Sequence, residues 1–383
     1  MGYVEDLVRL LTRSESVGRF RIRQFLTEPL RNPLMSRELA SVPESAIFNS
    51  DPNVNRIVSS IIAVWRPLGH GDPASALSNS VAAIGTVGSI LKQTESQIPT
   101  ATLVAVFQAL AGIARHFSPS SKSGSQAVLD ALRLEYAHLR RDAKTDHDKL
   151  AAMAICLIEI IKICVIDRAA NPGIVDSLLA STQGILEHSE LSKSVATTFD
   201  FFLAKHLLFL DDFDRAKTRL VEALGNCRTI GGPALERNKG RILFDLIPLQ
   251  MSRGLFPTKK ILLKYPLLLS TYGPLIKAIR RCDLAAFRAL TGADSRLGRE
   301  FFILMRRIEL LIFRGIVKQI FSVTGQKRRI DMSVLADVGT GGSITVAEDV
   351  AASLIMEGLI SGYMSYEEHA LMLTGSNPFP APF

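Results

Sequence analysis

Apolar side chains recur along this chain with the period of an α-helix. Val54, Ile57, Val58, Ile61, Ile62 and Trp65 fall at i, i+3, i+4, i+7, i+8 and i+11, which is one face of a single helix. Pro67 and the turn from Gly69 to Pro73 predict its end. Val4, Leu7, Val8 and Leu11 predict a shorter helix, and comparable stripes run through 76–93, 100–116, 126–140 and 147–166. Between them lie segments that break regular structure: Ser118 to Ser125 is mostly serine with Pro and Gly, and Ala170-Asn171-Pro172-Gly173 reads as a turn. The pattern predicts consecutive helices with short connections.

From 198 to 228 the stripes pair. Phe201, Ala204, Lys205, Leu207 and Leu208 occupy a first helix, Asp211-Asp212-Phe213-Asp214 turns the chain, and Ala216, Leu220, Ala223 and Leu224 space a second. Small alanines facing large leucines let antiparallel helices approach closely, as in tetratricopeptide repeats, although no clean period of about 34 residues is present. Such helices bury their faces only by stacking on neighbours, which implies a solenoid of degenerate repeats. Leu246, Ile247, Leu249 and Met251 continue a stripe around Pro248, predicting a helix kinked at that proline.

The C-terminal texture differs. Phe301, Leu304, Met305, Ile308, Leu311, Ile312, Ile316 and Ile320 predict a long helix from about Arg299 to Val323. A short helix follows Asp331 as its N-cap and ends before Gly339-Thr340-Gly341-Gly342. Thr345, with Glu348 three residues on, predicts a capping box opening a helix with Val346, Val350, Leu354 and Ile355 inward. Leu359-Ile360-Ser361-Gly362-Tyr363 and Ala370-Leu371-Met372-Leu373 read as two strands of a hairpin. The predicted fold is therefore all-α, a right-handed, tetratricopeptide-like solenoid ending in a winged-helix subdomain with a small β-hairpin. Its expected parts are an N-terminal helical region over 1–195, further repeats over 196–297, the winged helix over 298–375 and a tail over 376–383.

Composition narrows the class. At 383 residues, 47% hydrophobic and 21% charged, the chain has the apolar content to fold as two or three globular domains. No uninterrupted apolar run reaches the length of a membrane span; Leu150 to Ile166 comes nearest but holds Glu159 and Lys162. That segment is read as a core helix, and no membrane partner is expected. Glu5, Asp6 and Arg9 interrupt any secretion signal at the start, and four cysteines without a CxxC pair suit a reducing compartment. Charge divides unevenly: residues 1–204 hold 20 basic and 20 acidic side chains, 205–330 hold 25 against 10, and 331–383 hold no Lys or Arg and seven acids. Such asymmetry fits a surface for phosphates or for an acidic partner, and equally a solenoid solvating itself.

Candidate chemistry is sparse. Gly339-Thr340-Gly341-Gly342-Ser343 has neither the lysine nor the preceding strand of a phosphate loop. The seven histidines form no HExxH or Cys/His quartet, so no metal is expected. Cys156 and Cys164 lie inside an apolar helix and read as small hydrophobes. No nucleophile stands beside a base in a local signature, so neither catalysis nor a cofactor is expected. The remaining candidate is basic: Arg306, Arg307, Arg314 and Lys318 on the long helix, followed by Lys327, Arg328 and Arg329 in an exposed-looking loop after Gly325. One stripe of these would bind phosphates with strong salt dependence and little sequence preference. The predicted recognition helix carries Glu348, Asp349 and Glu357 and no base, which disfavours groove insertion.

Several segments in order resemble the PCI-domain family, whose helical solenoid runs into a terminal winged helix. Within that family the likeness is to PCI domain-containing protein 2, its fungal counterpart in the TREX-2 messenger-RNA export complex, and the signalosome subunit 12-like proteins. Leu246-Ile247-Pro248 with Gly254, Pro257, Leu262, Leu263 and Tyr265 resembles the family's "LIPV…G..P…LL.KY" segment, and Ile276-Lys277-Ala278 with Asp283-Leu284 and Phe287 its "A…GDL..F" helix. Phe313-Arg314 matches an aromatic–arginine pair in the long helix. Leu354-Ile355, Gly358, Ile360, Gly362 and Tyr363 resemble "LI..G.I.GY", and Asn377-Pro378-Phe379-Pro380 the near-terminal NPFP. The likeness covers about 200–380; Ser361 and Gly315 depart from the basic residue and the Asn that the family often places there. The resemblance implies a non-enzymatic scaffold subunit in nuclear messenger-RNA export, at the nuclear envelope and pore, with the cytoplasm also open. It implies pairing with a larger PCI-containing export scaffold protein and with the small acidic protein shared with the proteasome lid, and contact with RNA or DNA through phosphates. Ile360, Tyr363, Leu371 and Leu373 on the hairpin are the expected partner interface. The alternatives are a scaffold of a signalosome- or lid-type complex without RNA contact, and a winged-helix DNA-binding regulator.

Overall fold

In the computed structural model, residues 2–12, 19–30, 32, 41–42, 51–93, 98–117, 122–143, 146–182, 191–227 and 233–381 are described, and they are overwhelmingly helical. Contacts divide the chain into two compact units, 1–230 and 231–383. The helix pair read from 198–228 thus groups with the first unit.

In the first unit the elements are α1 (Gly2–Thr12), α2 (Arg19–Thr27), α3 (Pro52–Gly69), α4 (Pro73–Leu91), α5 (Thr100–Phe117), α6 (Lys122–Asp142), α7 (His147–Ile161), α8 (Gly173–Ser181), α9 (Lys193–Phe209) and α10 (Phe213–Asn226). Successive helices pack as pairs: α3 on α4, α4 on α5, α6 on α7, and α9 on α10. Ala204, Ala216, Leu220 and Ala223 are fully buried where α9 meets α10, the close approach that their sizes predict. Asp212 caps α10 by accepting from Arg215 N at 3.2 Å. The loop expected at Ser118–Ser125 is shorter, since α6 begins at Lys122; Ser118–Ser121 lie outside the described residues. Helix α3 runs past Pro67 and ends at Gly69, where the expected turn begins. The carbonyl of Ala63, four residues before the proline, instead accepts from Asn79 Nδ2 at 2.7 Å.

Two helices, α4 and α5, are long and apolar enough by length and composition to cross a membrane, where the sequence reading finds no such run. Their hydropathy comes from small residues interspersed with aliphatic ones, and α5 buries Leu103–Phe107 and Ala109–Ala111 against other helices of its own unit. Helix α7 is buried from Leu150 to Ile161. Glu159, which interrupts it, bonds Lys162 at 2.5 Å and lies 3.5 Å from Arg115, so a buried charge is paired rather than exposed to hydrocarbon.

The second unit comprises α11 (Pro233–Met251), α12 (Lys259–Lys264), α13 (Pro266–Arg280), α14 (Leu284–Thr291), α15 (Arg296–Glu300), α16 (Phe302–Val323), β1 (Arg329–Asp331), α17 (Met332–Leu335, continued by a π-turn over Ala336–Thr340), α18 (Ile344–Met356), β2 (Gly362–Ser365) and β3 (Ala370–Leu373). The strands form an antiparallel sheet in the order β1-β3-β2. The helix–strand–helix–helix–hairpin order from α16 onward is a winged helix, preceded within this unit by α-helices, and the fold class is all-α with that small terminal sheet.

Local details correct the sequence reading. Helix α11 continues through Pro248, which lies in its last turn, to Met251. The segment read as the free loop Lys327-Arg328-Arg329 leads into a third strand: Arg329, Ile330 and Asp331 pair with Met372, Leu371 and Ala370, because Ile330 alternates inward between two exposed charged neighbours. The first hairpin strand begins at Gly362 instead of Leu359. Gly362 lets it lie close to β3, since a Cβ there would stand 2.5 Å from the Met372 carbonyl oxygen. Helix α18 is capped by Ser343, whose Oγ accepts from Val346 N at 3.4 Å. Thr345 is inside the helix, and Glu348 bonds His369 at 2.9 Å instead of closing a capping box.

Candidate nucleic-acid interface

Helix α16 is fixed by its buried row of Leu304, Met305, Ile308, Ile312, Phe313, Ile316, Val317 and Ile320, and this row sets what its arginines reach. Arg306 is exposed but donates to Glu309 Oε2 at 2.8 Å, while Arg288 of α14 donates to Oε1 at 2.7 Å. Glu309 is 6% exposed, so the two guanidiniums clamp a buried carboxylate. Arg307 is exposed on the same helix.

Arg314 is a correction. Its Nε donates to the Leu359 carbonyl at 2.9 Å, and Nη2 to Phe379 at 3.2 Å and Pro380 at 2.7 Å. Burial lowers its pKa from the ordinary arginine value. Phe379 stacks edge-on against Phe321 with centroids 5.5 Å apart, and Ser361 N donates to the Pro378 carbonyl. Arg314 therefore ties the NPFP tail to the winged helix, with its fork turned to backbone carbonyls rather than outward to phosphate. Arg329 is likewise engaged, 3.3 Å from Asp331 and 3.7 Å from Glu368.

What remains of the seven-residue stripe is smaller. Lys318, Lys327 and Arg328 are exposed, and their side chains make no hydrogen bond or ion pair among the described residues. Gly325 and Gln326 take positive φ and Gln326 N returns to the Phe321 carbonyl, so the turn after α16 delivers Lys327 and Arg328 to the start of β1. The sequence reading overlooked further unbonded cations of the same unit: Lys259 and Lys260 on α12, Lys277 on α13, and Arg281 just beyond its end. Only the segmental charge excess signalled them. By contrast Lys264 is committed, since it, Tyr265 and Lys239 bond Glu236 and hold that carboxyl down at about 2.

The expected hairpin interface also changes. Ile360, Leu371 and Leu373 are 2% exposed or less and belong to the winged helix's own core, because α18 packs against the hairpin. Tyr363 alone of the four is exposed. Among the described residues no group of three His, Cys, Asp or Glu side chains could hold a metal ion. Cys156 is fully buried, and burial pushes its thiol well above the ordinary value, so it behaves as a hydrophobe.

A helical repeat closed by a winged helix, with the tail locked on by the long helix's arginine, defines a PCI-type module. No protein-family model matches the chain. It is similar to PCI domain-containing protein 2 homolog of Drosophila melanogaster, with 29% identity over 192 residues, 48% of this chain and 47% of that protein. It is also similar to Enhanced ethylene response protein 5 of Arabidopsis thaliana, with 25% identity over 210 residues, 52% of this chain and 49% of that one. A third relative is Protein CSN12 homolog of Yarrowia lipolytica, 25% identical over 195 residues, 49% of this chain and 48% of that protein. Over about half its length the chain is similar to PCI-domain proteins of this group, and it spans about half the length of the curated relatives it matches.

Proposed function

We propose that the protein is a non-enzymatic scaffold subunit of a TREX-2-like complex, working in nuclear messenger-RNA export and transcription-coupled processes at the nuclear envelope and pore. In this reading its winged helix pairs with a larger PCI-bearing scaffold protein, the small acidic lid-shared protein joins them, and Lys318, Lys327 and Arg328 contribute phosphate contacts. The observation that carries it is the division of the winged helix: α18, the element that would read bases, bears no Lys or Arg, while three unbonded cations lie at the end of α16 and before β1. Phosphate contacts position a chain without specifying sequence, which suits a subunit that handles messages of every sequence and disfavours a DNA-reading regulator.

The test is fluorescence anisotropy of single-stranded RNA with the protein in complex with its PCI partner, at two salt concentrations. Replacing Lys318, Lys327 and Arg328 by Glu is expected to weaken binding to all sequences alike, with the loss shrinking as salt rises because counterion release is removed. Unchanged affinity at low salt rejects the phosphate contact and leaves the second reading, a scaffold of signalosome type without RNA contact, which the likeness to a CSN12 homolog supports.

A further inference from the structure

We propose that the solvent face of the three-stranded sheet is a stacking platform for an unpaired nucleobase of a single-stranded nucleic acid, with Tyr363 as the ring it stacks on. The inference rests on the phosphate contact proposed above and adds the component that a cation does not grip. Strand register defines the face. Arg329 of β1 pairs with Met372 of β3, and Met372 pairs with Tyr363 of β2. Directly opposed residues share a side of the sheet, so these three side chains form one row. The next row, Ile330, Leu371 and Met364, points the other way, and there Ile330 and Leu371 are 2% and 0% exposed in the winged helix's own core. The row of Arg329, Met372 and Tyr363 is therefore the outer one: Arg329 is exposed, Met372 half-buried and Tyr363 55% exposed. The Tyr363 hydroxyl makes no hydrogen bond among the described residues. The core is filled from the opposite side, so the fold makes no use of this ring.

The chemistry of the row selects the occupant. Every base presents a flat π-face, and stacking needs one free ring together with a cation to hold the adjoining phosphate. Tyr363 supplies the ring and Met372 a polarisable thioether beside it. Lys327 and Arg328, exposed and without a side-chain partner among the described residues, lead directly into Arg329. A protein partner would draw instead on apolar area, and one ring beside one half-buried thioether offers little of it. The face also has a polarity. Arg328 meets the far end of β3, its carbonyl accepting from Leu373 N at 2.8 Å, whereas Asp331 is in register with Ala370 and Ser365 at the other end, where Glu367 and Glu368 follow in the hairpin turn. Arg329 stands between, 3.3 Å from Asp331 and 3.7 Å from Glu368. A single strand on this face therefore sets its phosphates toward Lys327 and Arg328, away from the hairpin turn. A duplex keeps its bases stacked on one another and offers the ring nothing.

The probes are a fluorescein-labelled oligouridylate and an abasic oligonucleotide of equal length, which has the phosphates without the bases, each titrated with the full chain by anisotropy at two salt concentrations. Wild type is expected to bind the oligouridylate about tenfold more tightly than the abasic strand. Tyr363→Ala should remove that preference and leave the abasic affinity unchanged, which also shows that the variant is folded. Tyr363→Phe, which keeps the ring, should retain it. The loss in Tyr363→Ala should be the same at both salt concentrations, since no charge is removed, whereas Lys327→Glu/Arg328→Glu weakens both probes and does so less as salt rises. Equal binding of the two probes by wild type, or an oligouridylate affinity within about twofold of wild type in Tyr363→Ala, overturns the platform and leaves the phosphate contact standing. Binding of neither probe overturns both. Unchanged oligouridylate binding in a Tyr363→Ala chain that no longer retains its PCI partner marks the ring as a protein contact, and that too overturns the platform.

Discussion

Removing the hydroxyl of Tyr272 tests how this fold accommodates a proline inside a helix. Pro248 has no N–H, so the carbonyl of Phe244, four residues earlier in α11, loses its helical donor. Tyr272 of α13 replaces it: its hydroxyl donates to the Phe244 carbonyl at 2.5 Å, and the side chain is fully buried. Its ring also packs on Phe244 with centroids 5.6 Å apart, a contact that phenylalanine preserves. Tyr272→Phe therefore deletes one hydrogen bond and strands a buried carbonyl, at a cost of about 1–3 kcal/mol. Pro248→Ala restores an N–H to the helix, so on that background the same substitution should cost about 1 kcal/mol less. The assay is urea unfolding of the full chain followed by far-ultraviolet circular dichroism; fluorescence would report on the first unit, where the single tryptophan, Trp65, lies. A cost below about 0.5 kcal/mol, or an equal cost on both backgrounds, refutes the reasoning. Asn79 does the same for Pro67 through the Ala63 carbonyl, so the device occurs in each unit.

Asp200 is 8% exposed, and burial raises its carboxyl to about 6 against the opposing pull of Arg219 at 3.6 Å. The native state then keeps a proton that the unfolded chain releases from 3.8, so stability falls as pH rises from about 4 to about 6, by an order of 3 kcal/mol, and is level above. Asp200→Asn should flatten that limb in melting temperature against pH and raise the melting temperature at neutral pH; an unaltered slope rejects the assignment. Cys282 stands where the family motif has glycine and takes φ of +54°, and Gly315 leaves room for it, since a Cβ there would collide with Cys282 Sγ. Gly315→Ala should cost about 1–3 kcal/mol in the wild-type chain and clearly less in Cys282→Gly; additive costs in chemical denaturation would falsify the coupling.

Helical spacing made the architecture legible, because burial along α9, α10 and α16 follows the i, i+3, i+4 rows visible in the residues themselves. The third strand was not legible. Arg329-Ile330-Asp331 is one alternation long, too short to separate from a loop, and it becomes a strand only because β3 offers paired backbone groups 39 to 43 positions later. Choosing between Ser343 and Thr345 as cap was equally beyond composition, since both carry a hydroxyl; the extended backbone of Ser343 decides it. At the candidate site, spacing placed Arg314 on α16 but could not reveal that Phe379 and Pro380, 65 and 66 residues away, would occupy its donors. Alternation likewise marked Leu371 and Leu373 as one face of a strand without showing that the module covers that face itself.

The charge excess of 205–330 has two components with different chemistry. Arg288, Arg306 and Arg314 direct their planar forks at a buried carboxylate or at backbone carbonyls, and Arg329 lies between two carboxylates. These are the partners that bidentate geometry favours. Among the described residues the cations of this segment with no side-chain partner are Lys217, Lys259, Lys260, Lys277, Lys318 and Lys327 together with Arg237, Arg241, Arg281, Arg299 and Arg328. No protein partner fixes the geometry of these side chains, so they attract phosphate by field rather than by shape. Field attraction is indifferent to sequence and sensitive to salt.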